Sequence, residues 1–394
     1  MLDCQKADFF LPPGTHYLNC AYMSPTSRQV EEAGLAGLRA KRYPAEIIPD
    51  DFFSGPDLVR RRFAELTNAT NPDDVAILAS VSYGMALVAR NVPFRSGQNV
   101  VVVTEQFPSN VYVWRRVSQD HAVELRTVGP GRPSDEGVHE QNRALAWNDA
   151  IVQSIDRNTA LVAIPNVHWA DGTLFDLARI REACDAVAAL LVVDGTQSVG
   201  ALDFDVQVIR PDALICAGYK WLFGPYGLAV AWFGERLLDG KPLEENWISR
   251  AGSEDFSGLV RYVDDYQPGA LRYDVGERSN FILIPMMAAA LEQVKGWGAD
   301  EVQRYCAALS AGTIDRLRER GYRIADEPER AAHLFGIRLP RGLGVDTVRA
   351  AAEEQRISVS FRGDAIRVSP HVYNDAADLD ALENALTGVL SEAL

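Results

Sequence analysis

Seven short runs built mostly of Val, Ile, Leu and Ala constrain this chain more than any other feature of its sequence. They read VAILAS (75–80), VVVVT (100–104), AVELRTV (122–128), ALVAIPNV (160–167), LLVVDG (190–195), DALICAG (212–218) and GLAVAWF (227–233). Between several of them lie segments with apolar residues at three- and four-residue spacing, the pattern of an amphipathic helix; DLARIREACDAVAA (176–189) is the clearest. A strand that is apolar throughout must be covered on both faces, and strands alternating with helices achieve that in a mostly parallel sheet. The expectation is an α/β fold in which a large domain, residues 16–254, carries a seven-stranded mostly parallel sheet. After about residue 255 the texture changes to a helix at 284–298, another at 300–320, shorter strands and a last helix at 375–393. That predicts a smaller α+β domain formed by 255–394, with 1–15 as an N-terminal arm. A length of 394 residues with 47% hydrophobic content supplies core enough for both.

Charge narrows the class of partner. With 39 basic against 54 acidic residues the formal charge is −15, which repels a phosphate backbone, so no nucleic-acid partner is expected. The five cysteines (Cys4, Cys20, Cys184, Cys216 and Cys306) form no C-x-x-C pair or other metal-ligand spacing, which predicts no metal and suits a reducing compartment. The opening MLDCQKADFFLPPG has no basic stretch followed by an apolar one, and no apolar run is long enough to span a bilayer. A cytoplasmic protein without a membrane partner is expected. No G-x-G-x-x-G follows any of the seven runs, which disfavours a nicotinamide dehydrogenase, and no Walker-type phosphate loop occurs. The polar excursion GPGRPSDEGVHEQN (129–142) reads as a surface loop or a lid.

Two of the runs end on a charge. VVDGTQSVGA (192–201) passes from buried-type residues straight to Asp194, and ICAGYKWLFGPYGLAV (215–230) leads to Lys220 and then to the turn formers Gly224, Pro225 and Gly227. Taken singly, Asp194 fits a helix cap or turn and Lys220 a lysine whose stem is buried and whose head reaches water. Taken together, at strand ends where ligands of open α/β sheets collect, they are what a pyridoxal phosphate site needs. The carboxylate keeps the pyridine nitrogen protonated, and a desolvated lysine of lowered pKa acts as an amine nucleophile towards the aldehyde.

The C-terminal stretch ISVSFRGDAIRVSPHVYN (357–374) reads as a hairpin turning at Gly363-Asp364. Arg362 then pairs with Ala365, Phe361 with Ile366 and Ser360 with Arg367. Ser360, Arg362, Ala365 and Arg367 share one side, and Val359, Phe361, Ile366 and Val368 share the other, apolar one. Two arginines on a polar side are either solvated or aimed at an anion.

From HYLNCAYMSP (16–25) to RVSPHVYN (367–374), and most closely around VVDGTQSVG and GYKWLFGPYG, the chain resembles the class V aminotransferase superfamily. These are fold type I pyridoxal 5'-phosphate enzymes that include cysteine desulfurases, kynureninases and isopenicillin N epimerase-like proteins. The resemblance implies that Lys220 holds the cofactor's aldehyde, Asp194 pairs with its ring nitrogen, Gln197 approaches the ring hydroxyl and Phe107, in TEQFPSNVYVW (104–114), stacks on the ring. Ser82, Tyr83 and Gly84, opening the helix of SVSYGMALVARNV (80–92), would cradle the phosphate. Tyr219, where many relatives have histidine, would add a hydroxyl, and Ala217 departs from the usual hydroxyl residue. In PNVHWADGTLFD (165–176), Trp169 would shape the substrate pocket and His168 would face the substrate, with a proton-transfer role left open. Arg367 corresponds to the carboxylate-binding arginine, and Asn19 lies in the N-terminal segment that contacts substrate. LRYDVGERSNF (271–281) resembles the segment that reaches the neighbouring subunit's phosphate site; it has Gly276-Glu277 where relatives have Gly-Thr, and Ser279 is the candidate hydroxyl. A homodimer with shared active sites follows.

The function so implied is an enzyme acting at Cα or Cβ of a small amino-acid substrate, by transamination or by β-elimination as a carbon–sulfur lyase. An epimerase or racemase and a kynureninase-like hydrolase are the alternatives within the class, and a non-catalytic regulatory protein that keeps the fold is the alternative outside it. Persulfide formation as in a cysteine desulfurase is not expected. Only four residues separate Arg362 from Arg367, none a cysteine, and Cys20 is the one candidate replacement thiol.

Overall fold

The computed structural model describes residues 2–131, 142–362 and 365–393. Most of the 129–142 excursion and the Gly363-Asp364 turn lie outside the described residues. In chain order the strands are β1 (His16–Tyr17), β2 (Val75–Leu78), β3 (Asn99–Val103), β4 (Glu124–Val128), β5 (Thr159–Pro165), β6 (Leu190–Asp194), β7 (Ala213–Ala217), β8 (Ala229–Phe233), β9 (Phe335–Arg338), β10 (Ile357–Ser358), β11 (Ser360–Arg362) and β12 (Ala365–Val368). The helices are α1 (Arg28–Ala40), α2 (Ser54–Leu66), α3 (Val81–Asn91), α4 (Tyr112–His121), α5 (Arg143–Ser154), α6 (Leu177–Val187), α7 (Val206–Ile209), α8 (Leu283–Trp297), α9 (Ala299–Glu319), α10 (Val345–Glu354) and α11 (Ala376–Ala393).

All seven apolar runs are strands of one sheet, in the order β2-β8-β7-β6-β5-β3-β4. Only β8 runs against its neighbours, so the mostly parallel seven-stranded sheet is borne out. Alternate residues of each strand point to opposite faces, and the two faces feed two separate cores. Ile77, Val101, Val103, Leu191 and Val193 enter one; Leu78, Val100, Val102, Leu190 and Val192 enter the other. That is why these strands are apolar at every position, each buried valine or leucine stabilising the fold by roughly 1.5–3 kcal/mol. The edge strand β4 is only partly buried, and its Glu124, Arg126 and Thr127 reflect that.

A second sheet, β11-β12-β9, is antiparallel. Its register is Ser360↔Arg367, Phe361↔Ile366 and Arg362↔Ala365, as the hairpin reading expects. Ile366 and Val368 pack with Ile337, Leu382 and Leu386 in the core that α10 and α11 cover. The short β1 pairs with β10, and Asn19 bridges to Ser369, so the chain just after the N-terminal arm lies against the C-terminal hairpin. Helix α8 packs against α1 and α2 and lends Ile284, Met287 and Leu291 to the core under the large sheet.

Candidate active site

The carboxyl ends of β2, β3, β5, β6 and β7 open on one cavity of about 230 Å³. Its lining includes Ser80, Ser82, Phe107, Trp169, Asp194, Gln197, Tyr219 and Lys220, which are supplied by five separate strand ends. The ends meet because the strands are parallel and in register, which is the general reason that such sheets bind ligands there.

Asp194 is 6% exposed. Its Oδ1 accepts the Thr196 backbone N–H at 3.1 Å, so the residue is both a turn cap and a buried carboxylate facing the cavity. Burial raises its pKa, against the hydrogen bonds from Thr196 and the attraction of Lys220. Lys220 is 5% exposed and makes no hydrogen bond or ion pair among the described residues. Its Nζ lies 5.2 Å from the centre of the Phe107 ring and 5.6 Å from that of Tyr219. Burial first and the Arg367 guanidinium second, against the pull of Asp194, lower its pKa to about 8. Two charged groups are thus held in a low-dielectric pocket without full compensation, an arrangement that structural ion pairs avoid.

Helix α3 begins at the cavity. Ser80 caps it, its Oγ accepting the Tyr83 N–H at 3.1 Å and lying 2.9 Å from Ser82 Oγ. The amides of Val81 and Ser82 have no acceptor among the described residues, leaving an anion site of hydroxyls and free N–H groups. Tyr83 and Gly84 are placed otherwise than the resemblance implied. Tyr83 turns towards Glu244, and the Gly84 N–H is taken by the Ser80 carbonyl. A Cβ on Gly84 would come within 2.9 Å of Ile215 Cγ2, so this glycine lets the helix sit close on the sheet.

Gln197 lies deep, its Nε2 donating to the Ala21 carbonyl at 3.1 Å and its Oε1 accepting from Trp221 Nε1 at 2.7 Å. The Thr196 hydroxyl accepts the Ala217 N–H at 3.2 Å, so a hydroxyl stands beside the position where Ala217 departs from its relatives. The sequence reading missed Thr196, although it lies within the quoted DGTQ. It also missed Gln106, whose buried Nε2 has no partner among the described residues and which lines the cavity beside Phe107. Glu105, just before it, holds a left-handed φ of 52°, a strained conformation of the kind that gathers at functional sites.

Trp169 packs edge-on against Phe107, ring centres 5.4 Å apart, and is pinned by a 2.6 Å hydrogen bond from Nε1 to the Glu105 carbonyl. His168 does not line the cavity. Val167 and Trp169 line it, whereas the His168 ring packs away from it against Trp147 and Phe175. His168 Nδ1 lies 3.0 Å from Asp171 Oδ1; burial pushes the Asp171 carboxyl up, but His168 and Arg143 hold it well below the usual carboxylate range. The expected exposure of His168 to substrate is therefore not seen; the residue stands in the irregular segment after β5, where its contacts with Asp171, Trp147 and Phe175 hold the ring in the core.

Arg367 is 1% exposed. Its guanidinium donates to the Trp169 carbonyl at 2.9 Å and to Ser360 Oγ at 3.1 Å, with Asn19 Oδ1 at 3.5 Å. Its Nε is buried without a partner among the described residues. Ser279 is not at this cavity; its Oγ donates to the Phe52 carbonyl at 2.6 Å, and the adjacent Arg278 pairs with Asp274. Cys20 is buried, and burial pushes its thiol pKa up.

The donor set fits pyridoxal phosphate. A helix N-terminus with two hydroxyls suits the phosphate, a buried carboxylate suits a protonated ring nitrogen, and an unpartnered lysine and Phe107 flank the space between.

A model of the class-V aminotransferase family matches residues 52–382. The chain belongs to this family. Class-V membership carries the enzyme type, a pyridoxal phosphate-dependent aminotransferase or lyase, that the sequence led us to expect. An uncharacterised aminotransferase of Bacillus subtilis, YcbU, is 28% identical over 329 residues, 82% of this chain and 80% of that one. The fold matches the cysteine desulfurase CsdA of Escherichia coli with a TM-score of 0.82 at 18% identity, covering 99% of this chain and 98% of that one. It matches the cystine C–S lyase C-DES, solved with its product cysteine persulfide, with a TM-score of 0.81 at 19% identity over 95% and 97% of the two chains. At these identities the likeness establishes the fold, and the fold type I expectation is met.

Proposed function

We propose that this class-V aminotransferase acts on a small α-amino acid in the cavity at the strand ends, by transamination or by β-elimination. The observation that carries the reading is a buried lysine without a hydrogen-bond partner among the described residues, sharing the cavity with a buried carboxylate that has no ion-pair partner there. Bound there, pyridoxal phosphate supplies an electron sink for the bond that breaks at the substrate's Cα. Asp194 stabilises a positive ring nitrogen, and Phe107 covers the ring. Ser80, Ser82 and the first amides of α3 hold the phosphate. Gln197 and Gln106 offer side-chain amides to the ring's remaining polar group. Lys220, whose burial disfavours the charged form, is the amine placed to take a proton from Cα and return it. Arg367, propped by Ser360 and Asn19, grips the α-carboxylate through its two-pronged guanidinium.

No enzyme thiol takes part in this reading. Cys20, Cys184, Cys216 and Cys306 are buried and Cys4 is exposed on the N-terminal arm; burial keeps such thiols protonated and inert. We also propose a homodimer. It is supported by the family resemblance of 271–281 and by the exposed apolar side chains of Val260, Tyr262 and Val263. Five unpaired cysteines support a cytoplasmic setting, and no helix among the described residues is long and apolar enough to cross a membrane.

The test is Lys220→Ala. The wild-type protein, purified with cofactor and treated with borohydride, should carry the cofactor's mass on the peptide containing Lys220. The variant should carry none and should turn over no amino acid. Cofactor fixed to a different lysine would refute the assignment.

A further inference from the structure

Two arginines, not one, lie over the ring of Trp169, which lines the cavity. In the β11–β12 hairpin Arg362 and Arg367 lie on the same face, at diagonal positions within reach of each other's long side chains. Both guanidiniums reach the ring of Trp169, their Cζ atoms 5.2 and 5.9 Å from its centre. Neither has an Asp or Glu within ion-pair distance among the described residues. Among the described residues each keeps a buried Nε without a hydrogen-bond partner, and Arg362 has one acceptor, the Phe361 carbonyl at 2.8 Å. Burial disfavours the charged form of Arg362, and both arginines bear on Lys220.

Like charges at diagonal positions on a half-buried face repel, and desolvation adds to the cost. One carboxylate, gripped by Arg367, leaves the charge of Arg362 unanswered. We propose that the substrate is an amino acid whose side chain ends in a second acidic group, and that Arg362 recognises that group and sets the specificity. The inference rests on the amino-acid reading above and names its substrate class. A carboxylate, a sulfonate and a phosphate share the required chemistry, a planar or tripodal anion that accepts paired N–H bonds.

The experiment titrates the holoenzyme with L-alanine, L-aspartate, L-glutamate, L-cysteate and O-phospho-L-serine, reading the cofactor's absorbance for affinity and product formation for kcat/KM. The same is done for Arg362→Gln, Arg362→Lys and Arg367→Gln. The wild type should prefer at least one acidic amino acid over alanine by about tenfold or more, and the preferred one tells carboxylate from sulfonate from phosphate. Arg362→Gln should collapse that preference ratio by about tenfold or more, Arg362→Lys should restore part of it, and Arg367→Gln should weaken acidic and neutral amino acids alike. A wild type that favours alanine overturns the proposal. So does an Arg362→Gln variant that weakens alanine and the acids equally, since Arg362 would then only support Trp169. Absence of any absorbance change with every amino acid would overturn the amino-acid reading itself, and this inference with it.

Discussion

Asp194 and Lys220 are each ordinary in isolation and informative as a pair, and their burial makes the pair testable. Asp194→Asn keeps the shape and the 3.1 Å cap to the Thr196 N–H but removes the charge. We expect the variant to fold and to bind cofactor while activity falls by about two orders of magnitude or more, measured as kcat/KM beside a thermal melt; near-normal activity would exclude the ring-nitrogen role. For Lys220 the pH dependence follows from a pKa of about 8 against an ordinary 10.5. Unfolding takes up a proton between those two values, so the cofactor-free protein gains stability as pH rises through that window. Below it the cost of burying the ammonium is present in full. Lys220→Met should therefore stabilise the cofactor-free protein by on the order of 3 kcal/mol at pH 7 and by little at pH 10.5. Denaturant melts at both pH values would test this, and a gap independent of pH would contradict it. Residue types and strand ends were legible in the sequence for both groups. The direction of His168 was not, because it stands in an irregular segment after β5, where no period in the sequence fixes which way a side chain points.

Elements were legible where a period repeats. The seven strands, α6, α8, α9, α11 and the hairpin register all stand within a residue or two of where the pattern put them. Helix α3 was also placed, yet which of its first residues face the cavity depends on how closely it packs on β7, and Gly84 proved to serve that packing. The segment after β6 shows a similar constraint. Gly200 has a φ of 102°, and a Cβ there would lie 2.3 Å from the Trp221 carbonyl oxygen. Gly200→Ala should cost at least about 2 kcal/mol through strain and the displaced backbone, and it should disturb the Trp221 to Gln197 hydrogen bond. Chemical denaturation would measure the first effect and cofactor affinity the second; an unchanged midpoint would mean that the turn can relax.

At the scale of the molecule, the substrate side of the site joins distant parts of the chain: Asn19, Trp169, Ser360 and Arg367 are linked by hydrogen bonds across more than three hundred residues of sequence. Two sites per dimer is the assembly that we propose, and it can be examined at the exposed apolar segment. Val260 and Tyr262 are 80% and 97% exposed, so replacing both by lysine should change the stability of the single chain by less than about 1 kcal/mol. Sedimentation velocity should find the wild type a dimer and the double variant shifted towards monomer, and a monomeric wild type would dismiss the assembly. By itself the sequence determined the α/β sheet, the strand-end carboxylate and lysine, and the family, because apolar runs, their spacing and local motifs are properties of neighbouring residues. Only the tertiary structure decided that Gln106 and Thr196 line the cavity, that His168 turns away, and that Arg362 and Arg367 have no acid within ion-pair distance among the described residues. Those facts depend on which face each side chain takes and on what the rest of the chain leaves unpaired, and neither is written in any short stretch.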